Sequence, residues 1–331
     1  MRSVTGRIRA RRRELILLLV IVAVSAVFQG VNSAFLSSSN IASIFSGYAV
    51  YGIMAVGMML VISTGNIDVS VGAQLAVVSM IVSSLVAEGQ VSGVPAVVLL
   101  SLLLGTILGL VNGVLVALLK LPAIIVTLGT LNIMRGIMLL LLGSSWISGL
   151  PSWFTAIART APFGLRFKMT AYVWLGISAL SYFVMYRVVL GRKVLAVGAN
   201  PEGAARIGFR PASVYIFAFS AMGATSGLAA LLYTANVGIA QPVAGSGYEM
   251  TLIAAVVIGG TSFAGGKISV LGTFLGVLLL SIIESGMVIS KVPVYWQAMV
   301  KGAVIITAIL SAAMEGFVGR GVFAKREEAR V

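Results

Sequence analysis

Apolar residues occupy long uninterrupted runs in this chain of 331 residues, and polar residues are confined to short stretches between the runs. Most runs are roughly 17 to 25 residues long, which is the length of a helix that crosses a bilayer. The pattern therefore predicts an all-α polytopic membrane protein with about ten transmembrane helices, or alternatively eight or nine. The predicted spans are Leu15 to Val31, Ile41 to Ser63, Val69 to Ala87, Val94 to Leu119, Ala123 to Leu142, Thr170 to Leu190, Val214 to Tyr233, Tyr248 to Phe263, Ile268 to Ile289 and Trp296 to Met314.

Composition and charge fix the class of protein and its orientation. Hydrophobic residues make up 59% of the chain and charged residues only 10%, which leaves too little polar surface for a soluble domain of this size. The formal net charge of +14 arises from Lys and Arg that lie mainly between spans on one side, which predicts a multi-pass bacterial inner-membrane protein with both termini cytoplasmic. No continuous basic face is present, so we expect lipid contacts and no nucleic-acid partner. The predicted regions are a cytoplasmic basic tail over 1–14, a transmembrane domain over 15–316 and a cytoplasmic tail over 317–331.

Several kinds of chemistry are excluded by the residues that the chain lacks. It contains no cysteine and no histidine, and Asp68 is its single aspartate, so thiol nucleophiles, imidazole metal sites and most hydrolase constellations are ruled out. We therefore predict neither an enzyme active site nor a metal site. No G-x-x-x-x-G-K-[ST] sequence occurs, so any ATP-driven work would be powered by another subunit.

The longest polar interruption, residues 191–211, predicts a short helix of about two turns. Asn200 is typical of a helix N-cap, Pro201 of the first helical position, and Gly208 of a helix end. Glu202 complements the positive end of the helix dipole and lies one turn from Arg206. The residues predicted to share one small-residue face are Pro201, Ala204, Ala205 and Gly208. Such a face favours close contact with another protein; the alternative is an ordinary capped helix in a cytosolic loop.

Two polar stretches interrupt the apolar pattern and lie on opposite sides of this central loop. The first covers residues 61–72 and the second covers residues 258–272, and each precedes a similar Gly- and Val-rich run. Irregular backbone survives at a membrane only where protein or water satisfies its polar groups. The two stretches indicate either duplication of a multi-helix unit or a chance match between Gly-rich segments.

Polar residues within or near the spans are candidates for a translocation path. Charged side chains inside a membrane are costly and face a cavity, a partner or the membrane edge. The candidates are Asn66, Asp68, Thr127, Thr130, Asn132 and Arg135. For Asp68 a helix-capping role is favoured over direct ligand contact. Positions 127, 130, 131 and 134 predict one mildly polar stripe on a helix, and a tertiary salt bridge is the competing use of Arg135.

The stretch from Gly143 to Lys168 is predicted to be external. It carries Arg159, Arg166 and Lys168, which depart from the usual excess of positive charge on the cytoplasmic side. Its aromatic residues suit an interfacial layer, and either a segment that receives a partner or a ligand, or a loop resting at the headgroups, fits this composition.

Four ordered motifs resemble the membrane permeases of bacterial ribose-type or monosaccharide-type ATP-binding-cassette importers. The resemblance covers nearly all of the chain, from about Asn40 to Gly316. The motifs are AVGMMLVISTGNIDVSVGA from Ala55, LPAIIVTLGTLNIMRG from Leu121, GRKVLAVGANPEGAARIG from Gly191 and GSGYEMTLIAAVVIGGTSFAGGKISVLGTFLG from Gly245.

This resemblance implies a set of partners: two permease subunits as a homodimer or heterodimer, two ABC ATPase subunits that use ATP and Mg, and a periplasmic or lipid-anchored sugar-binding protein. No cofactor is expected on the chain itself. The family's coupling helix corresponds to Asn200 through Gly208, where Gly203 is inserted into the usual Asn-Pro-Glu-Ala-Ala pattern. The family's Gly-Gly-Ile-Asp-Leu-Ser signature begins here at Gly65, with Asn66 in place of the second glycine.

Three functions remain open from the sequence. The leading one is the permease subunit of an importer for a monosaccharide, either a ribose-like pentose or a hexose. A permease of the same superfamily for branched-chain amino acids or another small solute is the near alternative. An ion-coupled secondary transporter is the alternative from a different class, although the few intramembrane acids disfavour it.

Overall fold

The computed structural model describes residues 2–164, 166–307 and 310, and this part of the chain is all helical apart from loops and one isolated β-bridge. The helices are α1 (Arg2–Val31), α2 (Ser38–Gly47), α3 (Ala49–Ser63), α4 (Val71–Ala87), α5 (Val94–Leu118), α6 (Ala123–Leu142), α7 (Ser152–Arg159), α8 (Met169–Arg187), α9 (Val189–Ala199), α10 (Pro201–Arg206), α11 (Pro211–Val237), α12 (Tyr248–Ile258) and α13 (Val270–Ile289). A 3₁₀ turn covers Pro162–Gly164, and residues 294–307 form a further helix, α14.

The described residues confirm fewer spans than the sequence predicts. Within the described residues, six helices are long and apolar enough to cross a membrane, and the α2–α3 pair, bent by 43°, raises the number to seven. The predicted spans at 69–87 and 248–263 contain helices of 17 and 11 residues. At 1.5 Å per residue, α12 measures about 17 Å, well short of a hydrocarbon core of about 30 Å, whereas α4 measures about 26 Å and lies at the lower limit of a spanning helix. Ten continuous spans are therefore not confirmed, because hydropathy does not distinguish a full helix from a short one joined to irregular backbone.

Of the two predicted terminal tails, only the N-terminal one falls within the described residues. Helix α1 begins at Arg2, so the segment predicted as an N-terminal tail continues the first span as helix. The predicted C-terminal tail over 317–331, and the end of the last predicted span, lie outside the described residues.

Helix α3 forms the centre of the protein. All of its residues except Tyr51 are buried, and it contacts α8, α11, α12 and α13. Its apolar side chains, including the fully buried Met54 and Met58, are therefore enclosed by protein rather than by lipid. A helix that is hydrophobic all round and enclosed on every side is typical of a core element.

Helices α5 and α11 form the most extensive helix pair. A Cβ added at Gly105 would overlap the Gly223 carbonyl oxygen and would lie 2.8 Å from the Gly227 Cα. A Cβ at Gly109 would likewise meet backbone atoms of Gly223 at 2.9 Å. These helices thus touch backbone to backbone, which small residues allow in membranes.

The stretch predicted to be external is ordered and packs against the C-terminal end of α11. Within it, α7 buries Phe154 completely, and Ile147 forms a two-hydrogen-bond antiparallel bridge with Ala240. Arg159 donates to the carbonyls of Asn236 and Val237, both at 3.0 Å, and the Lys168 ammonium donates to the Asn236 side chain at 3.2 Å. Arg159 thus satisfies free carbonyls at the C-terminal end of α11, and Lys168 bonds a side chain there, which gives the positive charge of this stretch a structural role.

Candidate functional site

The polar interruption folds into two consecutive helices that end in a projecting turn. Helix α9 ends at Ala199 and α10 begins at Pro201. The side chain of Asn200 accepts a hydrogen bond from the Gly203 amide at 2.9 Å, and Pro201 occupies the first helical position. The structure thus contains the N-cap that the sequence predicts.

The C-terminal end of α10 is closed by a Schellman motif. Gly208 has φ +88°, its amide donates to the Ala205 carbonyl at 3.0 Å, and the Phe209 amide donates to the Ala204 carbonyl at 3.0 Å. A left-handed glycine with this pair of bonds is the usual helix stop. Both ends of a six-residue helix are therefore satisfied by its own residues.

The exposed face of α10 differs in detail from the predicted one. Ala204 is buried at 3% exposure and anchors the helix to the protein, so it does not share the outer face. Glu202 and Arg206 are both exposed, and no ion pair joins them. Ile207 is 68% exposed and adds an apolar side chain that the sequence analysis did not single out. The outward surface thus combines an acid, a base and one large apolar group.

Asp68 is the centre of a buried polar network at the start of α4. Its carboxylate accepts from the Ser70 amide at 2.9 Å, from the Ser70 hydroxyl at 2.6 Å and from the Gln74 amide at 3.0 Å. Asn112 on α5 extends the network by donating to the Ser70 hydroxyl at 2.8 Å. Asp68 is fully buried, so in this conformation its side chain contacts only protein atoms. Nearby, Asn66 donates to the Thr64 hydroxyl at 3.0 Å.

The candidates on α6 divide between two faces. Thr127 is buried, donates to the Ala123 carbonyl at 2.8 Å and accepts from the Val69 amide at 3.2 Å, which ties α6 to the start of α4. Thr130 is also buried and donates to the Thr127 carbonyl at 3.3 Å. Asn132 is exposed and bonds only within its own helix, to the Leu128 carbonyl, so it lies off the stripe.

Arg135 holds the irregular segment between α11 and α12. Its guanidinium donates to the carbonyls of Pro242 and Ala244, the second at 3.1 Å, and to the Ser246 hydroxyl at 2.9 Å. Arg135 lies twelve residues along α6, about 18 Å from the start of that helix, so these bonds lie well inside the span. The competing expectation of a salt bridge is not realised; the arginine satisfies backbone carbonyls that lipid would leave unpaired.

Sequence reasoning missed an aromatic and charged cluster formed by α3, α12, α13 and α14. The rings of Tyr51 and Tyr248 are stacked with centroids 4.2 Å apart, and the centroid of the Tyr48 ring lies 5.9 Å from that of Tyr51. Tyr48 faces Glu284, whose carboxylate pairs with the Lys301 ammonium at 3.2 Å. A cleft beside the ion pair is lined by Thr251, Glu284, Met287 and Lys301 together with apolar residues. No local spacing in the sequence links residues so far apart, which is why sequence reasoning does not find this cluster.

Comparison with known proteins identifies the family. Residues 40–309 match the family model described as branched-chain amino acid transport system / permease component. The match covers most of the chain. The chain belongs to this permease family. It is therefore a membrane permease component of an ABC importer, as its motifs indicated.

Curated relatives of this permease are import permeases. It is 36% identical over 308 residues to the autoinducer 2 import system permease protein LsrC of Salmonella choleraesuis (strain SC-B67), covering 90% of this chain and 85% of that protein. It is 34% identical over 300 residues to the LsrC protein of Escherichia coli O9:H4 (strain HS), covering 90% and 86%. It is 34% identical over 298 residues to that of Photorhabdus luminescens, covering 90% and 89%. No solved structure matches this permease.

Proposed function

We propose that this permease carries a small hydroxyl-rich solute, a monosaccharide or a molecule of similar chemistry, across the bacterial inner membrane, and that ATPase subunits drive it through α10. The observation that carries the proposal is the geometry of α10. It is capped at both ends, anchored by the buried Ala204, and presents Glu202, Arg206 and Ile207 outward. A self-contained helix with a mixed charged and apolar face suits docking into a groove of another subunit.

In the proposed coupling role, each residue predicted for this segment has a part. Asn200, Pro201 and Gly208 shape the helix, Ala204 holds it, and Glu202, Ala205 and Arg206 form the surface that the ATPase contacts. In this proposal α10 is cytoplasmic, ATP and Mg are bound only by the ATPase, and a second permease subunit completes the path. An extracytoplasmic binding protein delivers the solute at the opposite face.

Purification from native membranes tests the partnership. The tagged permease, extracted in a mild detergent, is expected to bring down a P-loop ATPase and an extracytoplasmic binding protein, both identifiable by mass spectrometry. The ligand that remains on the binding protein then names the solute. Reproducible purification of the chain alone, with solute transport retained under an ion gradient, would instead establish an ion-driven carrier.

The class of solute is argued from the cluster that contains Tyr51, Tyr248 and Glu284. Tyrosine hydroxyls and rings, together with the Glu284 carboxylate, offer stacking surfaces and hydrogen-bond acceptors that suit a hydroxylated ring. The relatives named for autoinducer 2 import make a solute of the same class as autoinducer 2 a candidate. The family description favours branched-chain amino acids as the second candidate, and competition between sugars and amino acids in an uptake assay separates the two.

Glu284→Gln tests the solute contact. We expect uptake at limiting solute to fall about tenfold, because a hydrogen bond to a charged group contributes about 1.5–3 kcal/mol. Lys301→Gln is the matched control, since it breaks the same ion pair but keeps the carboxylate, and its uptake should stay within about twofold of wild type. Equal losses in both variants would mean that the ion pair serves stability alone.

A further inference from the structure

Three distant segments of the chain meet backbone to backbone at the end of α9. The Gly266 amide donates to the Ser63 carbonyl at 2.9 Å, which joins the turn after α12 to the end of α3. A Cβ placed on Gly198 would overlap the Ser63 carbonyl oxygen and lie 2.7 Å from the Gly266 nitrogen. A Cβ on Gly265 would overlap the Gly198 carbonyl oxygen and lie 2.9 Å from the Gly65 nitrogen. No side chain fits between these backbone segments.

The two irregular stretches that the sequence marks as interruptions therefore converge on one residue. Gly198 lies two residues before Asn200, the N-cap of α10. One side of the contact leads through residues 64–70 to Asp68 and the buried network that fixes α4 to α5. The other side leads through residues 259–269 to α12 and α13. Gly198 thus connects α10 to both interrupted regions within a few residues.

We propose that this junction, formed by Gly198 with Ser63–Gly65 and Gly265–Gly266, transmits movement of α10 to both irregular segments. The proposal rests on the proposed function, in which ATPase subunits move α10. Contact between backbones is stiff, because no side-chain rotamer lies between them to absorb a displacement. Movement of α9 and α10 is therefore passed to residues 63–66 and 262–267 together. From there α12 continues towards the segment that Arg135 holds deep in the span. Gly198 is a positioning residue in this scheme and touches no solute.

Distances between spin labels test the junction without altering it. The chain has no native cysteine, so paired labels can be placed at Arg192, Ala264 and Leu119, which are all exposed. Arg192 lies on α9, Ala264 in the turn between α12 and α13, and Leu119 at the end of α5 as the reference. In the reconstituted importer with its co-purified ATPase, ATP should change the Arg192–Leu119 and Ala264–Leu119 distances. The Arg192–Ala264 distance should stay constant.

Two results would overturn the proposal in different ways. If ATP changes the Arg192–Leu119 distance but not the Ala264–Leu119 distance, the junction does not transmit the movement of α10. The proposed coupling role of α10 itself would then still stand. If none of the three distances responds and wild-type uptake does not require ATP, the proposed function is wrong and the junction's role is lost with it.

Gly198→Ala gives a functional readout. The added methyl pushes α9 away from Ser63 and Gly266 but leaves α10 intact, so ATPase subunits should still bind and hydrolyse ATP. We expect the amount of solute moved per ATP hydrolysed to fall about tenfold. Gly176→Ala is the control, since Gly176 has open space around it on α8 and its variant should match wild type. A purely structural role would instead lower assembly, hydrolysis and uptake in proportion, so that the amount of solute moved per ATP would not change. If the variant does not fold, the spin-label distances test the proposal instead.

Discussion

Gly223→Leu is expected to leave no correctly folded permease. The Cβ alone would overlap the Gly105 carbonyl oxygen and lie 2.8 Å from the Gly109 nitrogen, so a leucine forces α5 and α11 apart along their whole contact. Overpacking by a few carbons costs about 1–3 kcal/mol even where side chains can shift, and here the neighbours are backbone atoms that cannot. Size-exclusion chromatography and a thermal denaturation assay in detergent measure the loss.

Gly176→Leu serves as the matched control for that experiment. It introduces the same side chain into a helix of similar apolar character, but nothing lies within 4 Å of the position. We expect a single sharp elution peak and an unchanged melting temperature for this variant. A folded and active Gly223→Leu protein would show that α5 and α11 do not pack through their glycines.

Gly208→Val is expected to reduce uptake to background while the permease still folds. Gly208 has φ +88°, and valine in this left-handed region costs roughly 1–2 kcal/mol, so the Schellman end of α10 opens and its outer face changes shape. Because the proposed coupling requires the ATPase to contact that face, the effect on uptake should far exceed the effect on stability. Uptake into cells and the amount of permease in membranes are measured side by side.

The control for this second prediction is Gly89→Val. Gly89 also has positive φ, +71°, and also has nothing within 4 Å, but it lies in the connection between α4 and α5. The two variants should therefore lose similar thermal stability, and only Gly208→Val should lose uptake. If both retain uptake, α10 does not couple the permease to an ATPase.

The local features of this permease could be read from its sequence, and α10 is the clearest case. Capping by Asn200, the proline at the first position and the glycine stop each depend on residues within one helical turn, so a short pattern is sufficient. The Gly-x-x-x-Gly spacing of Gly105 and Gly109 similarly predicts close packing, although it does not name α11 as the partner.

The features that depend on distant contacts could not be predicted. Hydropathy gave ten spans because it registers apolar residues in α4 and α12 without showing where each helix ends. Asn132 is a candidate for the translocation path from the sequence, yet it is exposed and faces away from the buried Thr127 and Thr130. The Tyr51–Tyr248 stack joins residues nearly two hundred positions apart, and no periodicity in a single sequence reports such a contact.

The enclosed position of α3 has a consequence for how the protein is made. Its neighbours α8, α11, α12 and α13 all follow it in the chain, so they emerge from the ribosome after it. Until they arrive, its buried methionines and small residues face lipid or the insertion machinery rather than protein. The centre of the protein therefore closes late in synthesis, and we expect truncated chains that end before α11 to be recognised as incomplete and degraded.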